Sequence, residues 1–194
     1  MLIPIYPSSK ALIFDLDGTL ADTMPAHRAA WVKTAAFFGA EMTEEMVQAW
    51  AGMASYKIAG MLSEKFNLAL VPEEVSKKKA EYFFELQGSG VDPVAPLCDL
   101  AKANFGKLPM GVGTGSRRAN AEKILSSLGI REIFDSLVTA DDVINHKPSP
   151  DTFLKCANQL GIAPADCQVF EDADFGVRAA KSAGMKVVDI RNYL

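Results

Sequence analysis

Five short apolar runs set the narrowest limit on how this chain folds: Lys10 to Asp15, Met110 to Thr114, Leu137 to Ala140, Gln168 to Glu171 and Lys186 to Ile190. Each is too short for a helix and too evenly apolar for a strand with one wet face, so each predicts a strand buried on both sides. Helical patterns fall between them at Asn120 to Leu128, Pro150 to Leu160 and Phe175 to Ala183. A glycine follows each (Gly129, Gly161, Gly184), where a helix C-cap needs left-handed backbone. Strand and helix in alternation predict an α/β fold with a doubly wound, Rossmann-like parallel sheet.

The stretch from Ala21 to Gln87 breaks this alternation. It reads as helix after helix, at Pro25 to Phe38, Thr43 to Trp50, Tyr56 to Phe66 and Pro72 to Leu86, with no strand between. The expected organisation is therefore a catalytic core made of residues 1–20 and 91–194, interrupted by a small all-helical cap at 21–90. Gly88-Ser89-Gly90 at the exit reads either as a hinge or as a surface loop. Trp31, Phe37, Phe38, Met46, Trp50, Met53, Met61, Phe66, Phe83 and Phe84 are expected to form the cap's own core.

With 194 residues, 49% of them hydrophobic and 23% charged, the chain can bury one well-packed domain carrying a smaller one. A net charge of -4, with no charge run longer than Lys77-Lys78-Lys79, gives no footprint for nucleic acid. Cys98, Cys156 and Cys167 form neither an even framework nor a metal-ligand pair, which points to free thiols in a reducing compartment such as the cytoplasm. The apolar start is broken by Pro4 and Pro7, and no later run is long enough to span a bilayer, so membrane insertion is not expected. A monomer is the default.

The chemistry concentrates where strands run out. Asp15-Leu16-Asp17-Gly18-Thr19 ends the first strand with two carboxylates one residue apart and a glycine that permits a sharp turn. One carboxylate can attack while the other handles protons. Thr114-Gly115-Ser116 ends another strand with hydroxyls and backbone N–H groups that suit an anionic oxygen, or else forms an ordinary helix cap. Lys147 precedes a helix, where it brings a cation to the same crevice or simply faces solvent. Glu171-Asp172 follows the apolar Val169-Phe170, a place where adjacent acids are costly unless they meet a cation. With Asp15 they offer hard oxygen ligands suited to Mg²⁺, and no Cys or His cluster argues for zinc. A dinucleotide site starting from Gly111-Val112-Gly113-Thr114-Gly115 fails on spacing, because Ser116 stands where the pattern needs to continue.

Taken together, these segments resemble the haloacid dehalogenase superfamily, in the branch with a small helical cap that includes β-phosphoglucomutase and related sugar phosphatases. The stretch from His146-Lys147-Pro148 through Val169-Phe170-Glu171-Asp172-Ala173-Asp174-Phe175-Gly176 to Ala183-Gly184-Met185 is especially similar to bacterial phosphatases of fructose 1-phosphate and 6-phosphogluconate. The resemblance implies that Asp15 is the nucleophile and Asp17 the general acid and base. It implies that Thr114, with Gly115 beside it, and Lys147 hold the phosphoryl group. Mg²⁺ would sit between the Asp15 side chain, the Asp17 backbone carbonyl and Asp172, with Glu171 acting through water. Small sugar phosphates are the implied substrates.

Within that superfamily, metal-free dehalogenases lack the second acid of the first motif, which Asp17 supplies here. Thr23 and His27 match residues near the start of the mutase cap, so a sugar phosphate mutase stays as an alternative, and an inactive sugar-phosphate sensor as a non-enzymatic one. Ser55 or Tyr56 stands where the mutase has the arginine that grips a second phosphate. His27 either orients Asp17 or a substrate hydroxyl, or packs in the cap interface. Lys78 is the expected substrate-facing cap lysine, with Lys77 and Lys79 as the other registers. Ser116 and Arg117 are further candidates, Arg117 for a second anionic group on the substrate.

Overall fold

The computed structural model describes residues 2–50, 53–88 and 90–194. Five strands, β1 (Ala11–Phe14), β2 (Met110–Gly113), β3 (Ser136–Val138), β4 (Cys167–Glu171) and β5 (Lys186–Asp189), form one sheet in the order β3-β2-β1-β4-β5. Every pairing is parallel. Because β1 pairs with β2 on one side and β4 on the other, the chain reverses its winding at the β1/β4 boundary. In such sheets that boundary opens a crevice at the carboxyl ends of the strands.

All five expected strands are present, with ends moved by a residue or two. The apolar runs are continuous because both faces are covered. Leu12 and Phe14 point to one cluster with Met110, Val112 and Phe170, while Ala11 and Ile13 point to the other with Val169, Phe153 and Cys156. Phe14 stacks on Phe170 at 4.8 Å and meets Phe134 edge-on at 5.8 Å, a geometry that adds to area burial. On β2 a side chain at Gly113 would come within 3.1 Å of the Phe153 ring, so this glycine lets the helix carrying Phe153 lie close on the sheet.

Eight helices accompany the sheet among the described residues: α1 (Met24–Phe37), α2 (Glu44–Ala49), α3 (Ser55–Phe66), α4 (Pro72–Gln87), α5 (Ala95–Asn104), α6 (Arg118–Ser127), α7 (Asp151–Leu160) and α8 (Asp174–Ser182). Gly129, Gly161 and Gly184 take positive φ after α6, α7 and α8, as caps require. Thr43 caps α2 through Met46 N–H at 3.3 Å, and Glu44 and Glu45 oppose its dipole. Helix α5 lies where no element was expected. Its buried face is only Leu97, Cys98 and Ala101, too narrow to stand out as a period.

The helices α1 to α4 enclose a third apolar cluster around Trp31, Ala35, Met42, Val47, Ile58, Leu62 and Val75. Three expectations for that cluster are corrected. Phe37 is 58% exposed, lying against Tyr82 and Lys78 of α4, Phe83 and Phe84 pack with the sheet's cluster, and Met61 lies outside the third cluster. Where the chain leaves and rejoins the sheet region the two crossings run side by side, with Asp22 N–H donating to Asp92 O at 2.8 Å and Val94 N–H to Leu20 O at 2.9 Å. A cap beginning near residue 21 remains our proposal. The predicted turn at 88–90 has Gly88 at φ +67°, while Ser89 lies outside the described residues, as do Met1, Ala51 and Gly52.

Gln168, fully buried on β4, ties the segment before β1 to the sheet. Its Oε1 accepts from Tyr6 N–H at 2.8 Å and Ser9 Oγ at 2.9 Å, and its Nε2 donates to Pro4 O at 2.7 Å. We expect Gln168→Leu, which leaves these groups without partners, to lower unfolding free energy by about 1–3 kcal/mol in urea titration.

Candidate active site

The first motif turns sharply after β1. Asp15 N–H still bonds Phe170 O at 3.0 Å across the β1/β4 boundary, and the N–H groups of Leu20 and Ala21 fold back to Leu16 O, each at 2.9 Å. Gly18 closes the turn at φ +87°. A side-chain carbon there would lie 2.2 Å from Asp172 Oδ2, so the position needs glycine both for its backbone and for the neighbouring acid. Thr19 Oγ1 donates to Asp172 Oδ1 at 3.0 Å, a contact in a residue quoted with the motif but given no role there.

Lys147 reaches this turn from the loop before α7, and it is 2% exposed. Its ammonium donates to Asp15 Oδ1 at 2.6 Å and Glu171 Oε2 at 2.7 Å. Burial alone would lower its pKa, but the charges of Asp15 and Glu171 outweigh that and hold it above the usual lysine value. Glu171 Oε1 accepts from Asp172 N–H at 3.2 Å and Ala173 N–H at 3.0 Å. A side chain at Gly176 would overlap the Glu171 carboxylate, so α8 passes directly over it.

Oxygens of Asp15, Glu171 and Asp172 lie within 4.8 Å of one another. Against one ammonium, the three carboxylates leave two negative charges in a buried place. The titration of the acids carries the mark of that excess. Burial first, then Glu171, pushes Asp15 well above the ordinary carboxylate value despite Lys147, and the same two causes push Asp172 to about 7. An all-oxygen donor set with two uncompensated charges fits a hard divalent cation.

Asp17 faces away from that group. Its Oδ1 accepts from Thr23 Oγ1 at 2.7 Å and His27 Nε2 at 2.8 Å, and its Oδ2 accepts from Ser116 Oγ at 2.6 Å. Burial would raise this carboxyl, but His27, then Ser116 and Thr23, outweigh it and hold the group well below the carboxylate range. His27 is itself pushed down, by burial and then by Lys79, against the opposing pull of the Asp17 carboxylate. The Lys79 ammonium contacts His27 Nδ1, which leaves the proton on Nε2 to donate to Asp17. The imidazole stacks on Phe83 at 4.2 Å. Thus His27 and Thr23 are both in contact with Asp17.

The lysine of this triplet that lines the cleft is Lys79, which corrects the choice of Lys78. Lys78 lies on the outer side of α4, bonded to Glu81 at 2.6 Å and set over the Phe37 ring at 4.8 Å. Lys79 falls on the buried stripe with Val75 and Phe83, and burial lowers its pKa to about 8. The stripe was the signal in the sequence: Lys79 is four residues from an apolar neighbour in each direction.

Above these groups opens a cleft of about 940 Å³, counting space continuous with solvent. Asp15, Asp17, Thr114, Gly115, Ser116, Glu171 and Asp172 line its floor, and Ser55, Trp31, Met42, Trp50, Met53 and Ile58 line the opposite wall. Thr114 is buried, and its Oγ1 accepts from Ser116 N–H at 3.0 Å. Lys147 lies under Asp15 rather than on the cleft surface. Arg117 lines the cleft, but its guanidinium is held by Glu73 at 2.6 Å. Trp31, Trp50 and Met53, expected only as packing, serve both the helical cluster and the cleft wall.

Chemically, this is a carboxylate at a strand end, a second one oriented by three donors, and a nearby acidic cluster paired with a buried lysine. Comparison with known proteins agrees with that inventory. The profile for haloacid dehalogenase-like hydrolases matches residues 9–184. The chain is 43% identical to the fructose-1-phosphate phosphatase YqaB of Escherichia coli (strain K12), over 96% of this chain and 99% of that one. It is 33% identical to the β-phosphoglucomutase of Bacillus subtilis (strain 168), over 93% of this chain and 83% of that one. A solved β-phosphoglucomutase from Clostridium difficile superimposes with a TM-score of 0.82 at 27% identity, covering 95% of this chain and 86% of the other. With the family's profile spanning both the sheet and the helical segment, this chain belongs to the haloacid dehalogenase-like hydrolases.

Proposed function

We propose that this protein is a Mg²⁺-dependent phosphatase of small sugar phosphates, of the fructose 1-phosphate or 6-phosphogluconate class, working through a phospho-aspartate on Asp15. The observation that carries the reading is the contrast between two carboxylates with one residue between them: Asp15 faces the acidic cluster and Lys147, while Asp17 is held aside by His27, Thr23 and Ser116. One environment suits a nucleophile beside cations, and the other suits a proton carrier.

In the first step an Asp15 oxygen bonds to phosphorus as the bond to the sugar oxygen breaks. Asp17 gives that oxygen its proton. In the second step water attacks the acyl phosphate, Asp17 takes the proton, and Asp15 is released with inorganic phosphate. The hydrogen bonds on Asp17 favour its ionised form, ready for the second step. An arriving phosphate dianion opposes them, because like charges about 5 Å apart repel by roughly 3 kcal/mol per charge pair at an effective dielectric near 20, and that raises the Asp17 pKa toward neutrality. Thr114, Gly115 and Ser116 offer hydroxyl and N–H groups to the phosphoryl oxygens. Asp15, Asp172 and the Asp17 carbonyl would hold Mg²⁺, with Glu171 through water. Bound there, the ion would supply the positive charge that lets a carboxylate approach a phosphate.

Ser55 lines the cleft wall, and neither it nor Tyr56, the two residues nearest the place of the mutase arginine, is a cation, which supports water over a sugar as the final acceptor. Phosphate release measured against glucose 6-phosphate formation from β-glucose 1-phosphate separates phosphatase from mutase. No turnover of any phosphomonoester would leave the sensor reading standing.

Asp15→Asn is expected to lose phosphate release by at least about a thousandfold. Its melting temperature should be no lower than wild type, because the structure holds Asp15 at a cost that a neutral side chain removes. Asp172 takes its proton near pH 7 in the folded chain against 3.8 for the free side chain, so its metal-free contribution to stability falls as pH rises between those values. Magnesium should therefore raise the melting temperature at pH 8, and Asp172→Asn should abolish that rise. Lys79 loses its charge as pH rises through about 8, so kcat should fall along an alkaline limb there. Lys79→Met should lower kcat about 10- to 100-fold and remove that limb.

A further inference from the structure

Ser116 and Arg117 are adjacent in the loop after β2, and each side chain reaches another element. Ser116 Oγ donates to Asp17 Oδ2 at 2.6 Å, and Arg117 donates to Glu73 Oε1 at 2.6 Å. Glu73 stands in the first turn of α4, the helix that also carries Lys79. Lys79 meets His27, and His27 donates to Asp17 Oδ1 at 2.8 Å. The contacts therefore close a circuit. It runs from Asp17 through Ser116 to Arg117, across to Glu73, along α4 to Lys79, and back through His27. The Arg117–Glu73 link is the charge-paired step of that circuit between the β2 loop and α4. We infer that Glu73 and Arg117 are a positioning pair: their ion pair docks α4 on the loop after β2, and through Lys79 and His27 it fixes the orientation of Asp17.

Both side chains are largely exposed, 72% for Glu73 and 48% for Arg117, so the pair is a reversible clasp and not a pillar of the fold. Asp141 lies 3.8 Å from the Arg117 Nε and keeps the guanidinium at the loop when Glu73 leaves. The uncharged contact between Tyr56 on α3 and His146, rings 4.8 Å apart and edge-on, is a second seam that charge substitutions at positions 73 and 117 do not touch.

The rate readout rests on the phosphatase reading above, so the test carries a second readout that needs no turnover. Amide hydrogen exchange over residues 75–82 and hydrolysis of fructose 1-phosphate are measured for wild type, Glu73→Gln, Arg117→Glu and the double variant. In the wild-type background Glu73→Gln should lower kcat about two- to fivefold with KM little changed, and should speed exchange in α4 by a similar factor. In the Arg117→Glu background, where residue 73 would face a like charge, the same substitution should raise kcat and slow exchange. Melting temperatures track folding in all four. If Glu73→Gln acts in the same direction in both backgrounds, or leaves exchange unchanged, the pair does not dock α4 and the inference is overturned. It is equally overturned if Glu73→Gln leaves fructose 1-phosphate hydrolysis intact and only raises activity on 6-phosphogluconate, since the pair would then screen substrate charge. A wild type inert toward every sugar phosphate would sink the phosphatase reading, and the exchange data would still decide the pair.

Discussion

A buried ammonium between two carboxylates is what the centre of this molecule is built around. Lys147 joins Asp15, at the end of β1, to Glu171, at the end of β4, across the boundary where the sheet reverses its winding. Taking three charges out of water costs several kcal/mol per ion, and the attraction between them recovers that cost only with good geometry. Here the geometry is good and the count is not: Asp172 adds another carboxylate, and Asp15 stays raised although Lys147 touches it. The apolar strands can tolerate this because the sheet around it is packed on both faces, with Phe14 and Phe170 stacked directly beneath the strand ends. The fold supplies stability that the site then consumes.

Two carboxylates of one motif end up in opposite states by the same logic. Asp15 meets burial and other acids; Asp17 meets burial and three hydrogen-bond donors. Neither state belongs to aspartate as a residue type. Each follows from the donors that other elements deliver, and for Asp17 these come from α1 and from the loop after β2.

What the amino-acid sequence revealed divides along this line between local and delivered features. The strands were legible because a strand buried on both faces is a run of adjacent residues, and the first motif was legible because its two acids and its glycine are neighbours. Thr114 and Glu171-Asp172 were legible as strand ends. Which lysine of Lys77-Lys78-Lys79 points inward was legible only through spacing, because three successive helical positions fan out over about 200° and Lys79 alone has an apolar residue four positions away on both sides, Val75 and Phe83. Arg117 could be seen as a cation near the site, whereas its engagement by Glu73 depends on two segments far apart in the chain. Trp31 and Met42 show the same limit from the apolar side, since one side chain can fill a core and wall a cleft, and hydrophobicity does not distinguish the two duties.

The glycines under the acids carry one more consequence. At Gly176 there is no room for a side chain beside Glu171, and at Gly18 there is none beside Asp172. Positions on different elements are thereby bound into pairs that can vary only together. A methyl group at 176 becomes admissible once residue 171 is shortened, since every close neighbour it would meet belongs to the Glu171 side chain. Among descendants of this chain the acids and their glycines should therefore be inherited as units, and a lineage that abandons its acids is free to fill the hollow at 176, while the positive φ at 18 still holds glycine there.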